Sequence, residues 1–134
     1  MPGEITKVLV VEDDRDFAES LVIALGTRNC RVELAHTGEE AIRMFHEQVF
    51  DIAFMDIKLP GKNGVQSLAE ILDFAPQARI VMMTGFSESS LLEQARQTGA
   101  IDVLCKPFRM KELLGYIDRL HNAEPVAPSS VATH

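Results

Sequence analysis

The sequence predicts an α/β domain with a doubly wound, parallel sheet of five strands and helices on both faces of the sheet. Short apolar runs alternate five times with amphipathic helical patterns along the 134 residues, which is typical of repeated strand–helix units. The third run, residues 52–55, is apolar without alternation and lies between Asp51 and Asp56. A strand of this kind is covered on both faces, as strands of parallel sheets are.

Five segments have the composition of strands. Most contain continuous apolar runs, whereas the second alternates Val32 and Leu34 with polar residues, as an edge strand does. We predict strands at residues 7–11, 31–35, 51–55, 79–83 and 102–105.

Five further segments have the periodicity of helices. We predict helices at about residues 14–29, 37–48, 65–75, 87–98 and 109–121. Asp14 and Ser87 are predicted N-caps, and Thr37 with Glu40 forms a predicted capping box. Right-handed crossovers then give the flavodoxin-like strand order 2-1-3-4-5, in which the first and third strands are neighbours.

A chain of 134 residues makes one domain. We expect the folded domain to span residues 1–122. Residues 123–134 contain Pro125 and Pro128 but no periodic apolar pattern, so they are predicted to be a disordered tail or the start of a linker.

Composition limits the partners and the location of the chain. The net charge of −7 argues against direct binding of nucleic acid, which requires clustered Lys and Arg. No apolar run is long enough to span a membrane, and residues 1–4 lack the basic start and apolar core of a signal peptide. We therefore expect a cytoplasmic protein with no membrane partner.

The cysteines suggest neither a zinc site nor a disulfide framework. The predicted strand order separates Cys30 and Cys105 by roughly 19 Å, which is too far for a disulfide. Both are predicted to be free thiols in the core. The histidines are predicted to be exposed to solvent: His36, His46, His121 and His134.

Polar residues occur where four of the predicted strands end. Glu12 and Asp13 follow the first strand, Asp56 follows the third, Thr84 the fourth and Lys106 the fifth. A single acid at a strand end is ordinarily a loop residue. In a parallel sheet, however, these ends meet at one edge, which is where ligands of such sheets bind.

Three carboxylates at one edge predict a metal site. Two charges about 5 Å apart repel by roughly 3 kcal/mol at an effective dielectric near 20, and a divalent cation removes that repulsion. Oxygen ligands without His or Cys select a hard ion and leave room for water, which favours Mg²⁺. The predicted direct ligands are Asp13 and Asp56, with Glu12 binding directly or through water and the backbone carbonyl of Lys58 adding another oxygen.

The same edge suits phosphoryl transfer. Asp56 is the predicted nucleophile, forming an aspartyl phosphate. Lys106 and the metal would neutralise charge on the transferring group, and Thr84 would donate a hydrogen bond to it. The chain has no glycine-rich nucleotide loop, so the phosphoryl group should arrive on a partner rather than from bound ATP.

Four segments together resemble the receiver domain of two-component response regulators. They are residues 8–14, 51–61, 83–85 and 106–108, which occur in the family's order within about residues 5–122. The resemblance implies that Asp56 accepts a phosphoryl group from a phosphohistidine of a sensor histidine kinase or phosphotransfer protein. It also implies Mg²⁺ coordination through Glu12 and Asp13 and phosphate contacts from Thr84 and Lys106.

The resemblance further implies a cis peptide bond between Lys106 and Pro107. It implies a regulatory domain that catalyses only its own phosphoryl transfer and dephosphorylation, rather than an enzyme. Such a domain acts on a downstream protein or on an output domain outside this chain, and a phosphorylation-dependent homodimer is a further candidate assembly.

Val103 departs from the family pattern. Many receivers have Tyr or Phe three residues before the lysine, and that ring turns inward as the threonine moves towards phosphate. Valine has no ring, so we expect the signal to pass through Thr84, the following loop and the fourth helix, with Phe86 as a substitute. The predicted result is a changed surface near the fourth helix and fifth strand.

Alternatives from other classes share parts of this pattern. A phosphohydrolase of the haloacid dehalogenase kind also uses an aspartate at a strand end, but it places an acid two residues later, where this chain has Lys58. A flavin-binding module would need a loop rich in Ser, Thr and Gly after the first strand. A degenerate receiver that serves only as a docking module is a third alternative, although the acceptor residues are complete.

Overall fold

The computed structural model describes residues 5–85 and 89–122. Within these residues, strands and helices alternate strictly along the chain. The strands are β1 (Thr6–Val11), β2 (Cys30–Ala35), β3 (Ile52–Asp56), β4 (Ile80–Gly85) and β5 (Asp102–Lys106). The helices are α1 (Arg15–Gly26), α2 (Gly38–Glu47), α3 (Gly64–Phe74), α4 (Ser89–Thr98) and α5 (Met110–His121).

The sheet has the predicted topology. All neighbouring strands are parallel, in the order β2-β1-β3-β4-β5. The register pairs Val11 with Met55 in β1 and β3, and Asp56 with Met83 in β3 and β4. Because these strands end at nearly the same level, the polar residues at their carboxyl ends lie along one edge of the sheet.

The core is divided into two layers by the sheet. Alternate residues of β1 point to opposite faces: Leu9 and Val11 belong to one apolar cluster, and Val8 and Val10 belong to the other. The first cluster packs against α2, α3 and α4, and the second packs against α1 and α5. All five residues of β3 are buried, which confirms the prediction of a central strand with helices on both faces.

The helix starts agree with the predicted caps except in one detail. The Asp14 carboxylate accepts a hydrogen bond from the Phe17 N–H at 3.1 Å, and the Thr37 hydroxyl accepts one from the Glu40 N–H at 3.1 Å. The Glu40 carboxylate accepts from the backbone N–H of His36 at 2.6 Å, one residue before the position that a capping box requires. The predicted N-cap Ser87 lies outside the described residues.

The first helix is shorter than predicted. It ends at Gly26, and Asn29 has a φ of 58°. This left-handed conformation is incompatible with a continued right-handed helix. The turn ends at β2, whose first residue, Cys30, is one residue before the predicted start.

Cys30 and Cys105 lie on the two edge strands, and both are free thiols. The prediction that both belong to the core is wrong for Cys105, which is exposed because the outer strand β5 is only partly covered. Among residues 5–85 and 89–122, no helix is long and apolar enough to cross a membrane. The predicted tail, residues 123–134, lies outside the described part of the chain.

Candidate functional site

Lys106 connects the two acids at the centre of the sheet edge. Its Nζ atom lies 3.0 Å from Oε1 of Glu12 and 3.0 Å from Oδ2 of Asp56. Glu12 directly follows β1, whereas Asp56 and Lys106 are the last residues of β3 and β5. The parallel register therefore brings together groups that are 50 and 94 residues apart in sequence.

The two acids of this cluster are buried and its outer groups are accessible. Glu12 is 1% exposed and Asp56 is 7% exposed, whereas Asp13 is exposed. The Lys106 side chain is 27% exposed. Buried carboxylates lose most of their hydration, and the hydrogen bonds from the ammonium group replace part of what is lost.

Burial changes the protonation of the cluster. Burial, followed by the negative charge of Asp56, raises the pKa of Glu12 from 4.5 to about 7. Burial acts to lower the pKa of Lys106, but its hydrogen bonds to Asp56 and Glu12 outweigh burial and raise that pKa above the ordinary value. Near neutral pH the ammonium group is therefore charged, while Glu12 is close to its midpoint.

The acids form a group that could hold a metal ion. One carboxylate oxygen from each of Glu12, Asp13 and Asp56 lies within 4.8 Å of the others. Three carboxylates outnumber the single ammonium group of Lys106, and all the donor atoms are oxygen. This donor set fits a hard divalent cation.

The backbone after β3 is tied to Asp56. The Lys58 N–H donates a hydrogen bond to Oδ1 of Asp56 at 3.1 Å, so each carboxylate oxygen of Asp56 has a donor. Gly64, at the start of α3, packs against the end of the strand. A Cβ at position 64 would lie 2.7 Å from Cα of Ile57, so this close approach requires glycine.

Thr84 lies in β4, beside β3 and β5. It is 1% exposed, and its hydroxyl donates a hydrogen bond to the carbonyl oxygen of Gly85 at 2.9 Å. In this state the hydroxyl is engaged by its own strand. A contact between Thr84 and a phosphoryl group would have to replace this bond.

The loop after β5 has the predicted backbone conformation, because the peptide bond between Lys106 and Pro107 is cis. Val103 is half-buried and packs against the core on the side of α2, α3 and α4. The proposed substitute for its missing ring, Phe86, lies outside the described residues.

Two residues next to the site were not identified from the sequence. The Phe17 ring lies under the ammonium group of Lys106, with 4.7 Å from Nζ to the ring centroid.

The second residue is His36, whose Nδ1 is 2.9 Å from the carbonyl oxygen of Glu12. His36 is half-buried, so the prediction that it is exposed to solvent is wrong. Its position directly after β2 was a signal that it lies at this edge.

Comparison with known proteins identifies close similarities. Residues 8–118 match the family model of the response regulator receiver domain. Transcriptional regulatory protein ZraR of Klebsiella oxytoca is 34% identical over 113 residues, which are 84% of this chain and 26% of that protein. The chain therefore spans about a quarter of the length of this relative.

Solved structures agree with the family model. A CheY-like receiver domain protein from Methanospirillum hungatei JF-1 has a TM-score of 0.82 at 27% identity, covering 87% of this chain and 93% of that one. The receiver domain of sensor histidine kinase PA1611 from Pseudomonas aeruginosa PAO1 has a TM-score of 0.79 at 28% identity. This match covers 87% of this chain and 97% of the other, which holds a magnesium ion in its active site cleft.

The matched range begins in β1 and ends in α5, so it includes every strand end described above. Fold, strand order and sequence similarity agree over most of the chain. The chain belongs to the family of response regulator receiver domains.

Proposed function

We propose that this domain is a phosphorylation-dependent signalling switch in which Asp56 accepts the phosphoryl group. The observation that supports this role is the ammonium group of Lys106, 3.0 Å from both Asp56 and Glu12. A buried carboxylate at a strand end, beside a fixed cation and two further acids, can attack phosphorus while neighbouring groups neutralise the transferred charge.

The proposed metal ligands are Glu12, Asp13, Asp56 and the backbone carbonyl of Lys58, and the proposed ion is Mg²⁺. The acidic cluster supports this assignment, because its carboxylate oxygens lie within 4.8 Å of one another. When bound, Mg²⁺ would offset the excess negative charge of the cluster and of the incoming phosphoryl group.

The transfer would form one bond and break one. A carboxylate oxygen of Asp56 attacks phosphorus, the P–N bond to the donor histidine breaks, and the electron pair of that bond remains on the imidazole. The ammonium group of Lys106, already 3.0 Å from Asp56, would bind the phosphoryl oxygens as they approach. Thr84 exchanges its bond to the Gly85 carbonyl, 2.9 Å in the present state, for a bond to a phosphoryl oxygen.

The exchange at Thr84 provides a route for the signal. Gly85 pairs with Lys106 at the end of β4 and precedes the connection to α4. Releasing its carbonyl would alter this connection and the surface near α4 and β5, with which partners would interact. Val103 has no ring to rotate, so the route through Thr84 and the following loop, including Phe86, is the proposed substitute.

The proposed partners follow from the family. A sensor histidine kinase or phosphotransfer protein would supply the phosphoryl group, and a downstream protein or an output domain would receive the signal. The net charge of −7 disfavours direct contact of this domain with nucleic acid. We place the domain in the cytoplasm. It would act through protein contacts rather than by turnover of a separate substrate, and homodimerisation on phosphorylation is one proposed mode of output.

The acceptor is tested by incubating the protein with acetyl phosphate and Mg²⁺ and measuring its intact mass. We expect the wild type to gain one phosphoryl group, and we expect Asp56→Asn to gain none because an amide is not a nucleophile here. EDTA should abolish the gain. Undiminished labelling of Asp56→Asn would contradict the assignment of the acceptor.

The route of the signal is tested by hydrogen exchange of the free protein and of the complex with beryllofluoride and Mg²⁺. We expect exchange to change in residues 84–90. Unchanged exchange in that segment, with bound beryllofluoride verified by ¹⁹F NMR, would contradict this route while leaving the acceptor assignment intact.

A further inference from the structure

Phe17 connects the start of α1 to the loop after β5. The Lys106 ammonium group lies over the Phe17 ring, 4.7 Å from its centroid. The same ring packs edge-on against Phe108, with centroids 5.8 Å apart and an interplanar angle of 66°. Phe17 therefore contacts the end of β5 at Lys106 and the following loop at Phe108.

Glu12, one of the two acids that hold the ammonium group, is connected to Phe17 through Asp14. The Asp14 carboxylate accepts a hydrogen bond from the Phe17 N–H at 3.1 Å, and the Asp14 N–H donates to Oε2 of Glu12 at 3.1 Å. The other oxygen of Glu12 accepts from Lys106 at 3.0 Å. Glu12, Asp14, Phe17 and Lys106 thus form a closed ring of contacts.

The ring of contacts restrains a flexible cation. A lysine side chain has a long stem with many rotamers, and the Lys106 side chain is 27% exposed, so the two acids alone hold only its tip. The electron-rich face of an aromatic ring attracts a cation within about 6 Å. Packing of apolar bulk would need only volume at position 17, whereas this attraction needs an aromatic face.

We propose that Phe17 is a positioning residue for phosphoryl transfer, holding the ammonium group of Lys106 where the phosphoryl oxygens arrive. The inference rests on the proposed function, because it assumes transfer to Asp56. Phe17 acts through Lys106 and does not contact the reacting carboxylate itself.

The test measures the initial rate of phosphorylation by acetyl phosphate with Mg²⁺ at several donor concentrations. Phe17→Leu keeps an apolar side chain but removes the aromatic face, so we expect the saturated rate to fall about two- to fivefold. The half-saturating concentration of acetyl phosphate should stay the same. Phe17→Tyr keeps the face and should retain the wild-type rate.

The matched control is Phe50→Leu at the opposite end of the sheet. Phe50 also has a lysine near its ring, with Nζ of Lys7 at 5.8 Å, and it is buried in the core. This variant should lower the melting temperature without changing the saturated phosphorylation rate. Equal slowing of phosphorylation in Phe17→Leu and Phe50→Leu would show a general loss of packing and would overturn the proposal.

Two further measurements separate the inference from the function on which it rests. In a Lys106→Met background, Phe17→Leu should cause no additional slowing, and an undiminished additional effect would overturn the positioning role.

The proton shifts of the Lys106 ε-methylene group should show the ring current of Phe17 in unphosphorylated wild type and lose it in Phe17→Leu. A wild type that shows this shift but takes no phosphoryl group would overturn the proposed function and with it the inference. Phosphorylation at the wild-type rate in Phe17→Leu would overturn the inference alone.

Discussion

Both ends of the neighbouring strands β1 and β3 carry acids, but the two ends differ in burial. At the carboxyl end, the buried acids Glu12 and Asp56 share the ammonium group of Lys106. At the amino end, Asp51 is exposed, and its carboxylate accepts a hydrogen bond from the backbone N–H of Lys7 at 2.8 Å. At the amino end, therefore, the acid connects β1 to the residue that precedes β3. At the carboxyl end, the ionisable groups of three strand ends lie side by side.

The difference shows that burial, rather than residue type, distinguishes the two ends. An exposed carboxylate is stabilised by water whether or not it has a partner, so its contacts contribute little free energy. A buried carboxylate is stabilised mainly by the protein groups that surround it. A change in charge at that position therefore alters the electrostatic energy of every group in the cluster. Adding a phosphoryl group at the carboxyl end would therefore have consequences that the same event at the amino end would not.

The largest expected effect is a dependence of stability on pH that comes from Glu12. Its pKa is raised from 4.5 to about 7 in the folded protein, so the folded state retains a proton that the unfolded state has lost. Metal-free protein should lose about 3 kcal/mol of unfolding free energy as pH rises from about 4.5 to 7. Urea denaturation at several pH values measures this loss.

Glu12→Gln supplies the control for this prediction, because its amide does not titrate. The variant should lose most of the slope between pH 4.5 and 7, while an equal substitution at the amino end, Asp51→Asn, should keep it. A wild-type slope in Glu12→Gln would contradict the assignment of the dependence to Glu12.

The second effect is on the rate of phosphorylation. Lys106→Met removes the charge beside Asp56, and we expect phosphorylation by acetyl phosphate to slow about 100-fold, which corresponds to about 2.7 kcal/mol of transition-state stabilisation. Time courses of intact mass measure this rate. Lys111→Met is the matched control, because Lys111 is exposed on α5, and it should leave the rate unchanged. A similar loss of rate in both variants would contradict a specific role of Lys106.

The smallest effect is expected at the amino end. Asp51→Ala removes the acceptor for the Lys7 N–H, and we expect a loss of about 1 kcal/mol of unfolding free energy with an unchanged phosphorylation rate. Urea denaturation and the acetyl phosphate assay measure the two quantities. A large loss of phosphorylation in this variant would show that the two ends of the sheet are coupled, and the comparison between them would fail.

Much of the fold could be predicted because its signals are local. Continuous apolar runs such as residues 52–55 and the periodic helix faces depend only on neighbouring residues and on the hydrophobic effect. The discrepancies in the helices occur at their ends, where single residues and side-chain contacts decide the outcome. The first helix ends at Gly26, and the left-handed φ of Asn29 shows that the chain is no longer helical where the apolar periodicity predicted the helix end. The Glu40 carboxylate accepts a hydrogen bond from the His36 N–H, one residue before the predicted cap position.

The site could be predicted only as a set of residues at one edge. The positions of Glu12, Asp56 and Lys106 follow from where their strands end, which is a property of the pattern of apolar runs. Their individual roles, including those of Asp13 and Thr84 and of the Lys58 carbonyl, are still predictions.

The sequence by itself determined the order of elements, the parallel sheet and the set of polar residues at its carboxyl edge. Only the tertiary structure decided that one ammonium group spans Glu12 and Asp56, that Glu12 is almost fully buried, and that Phe17 lies under Lys106. These contacts join residues as many as 94 positions apart. They depend on side-chain conformations and on the depth at which strands end in the packed core, and no local sequence pattern encodes either.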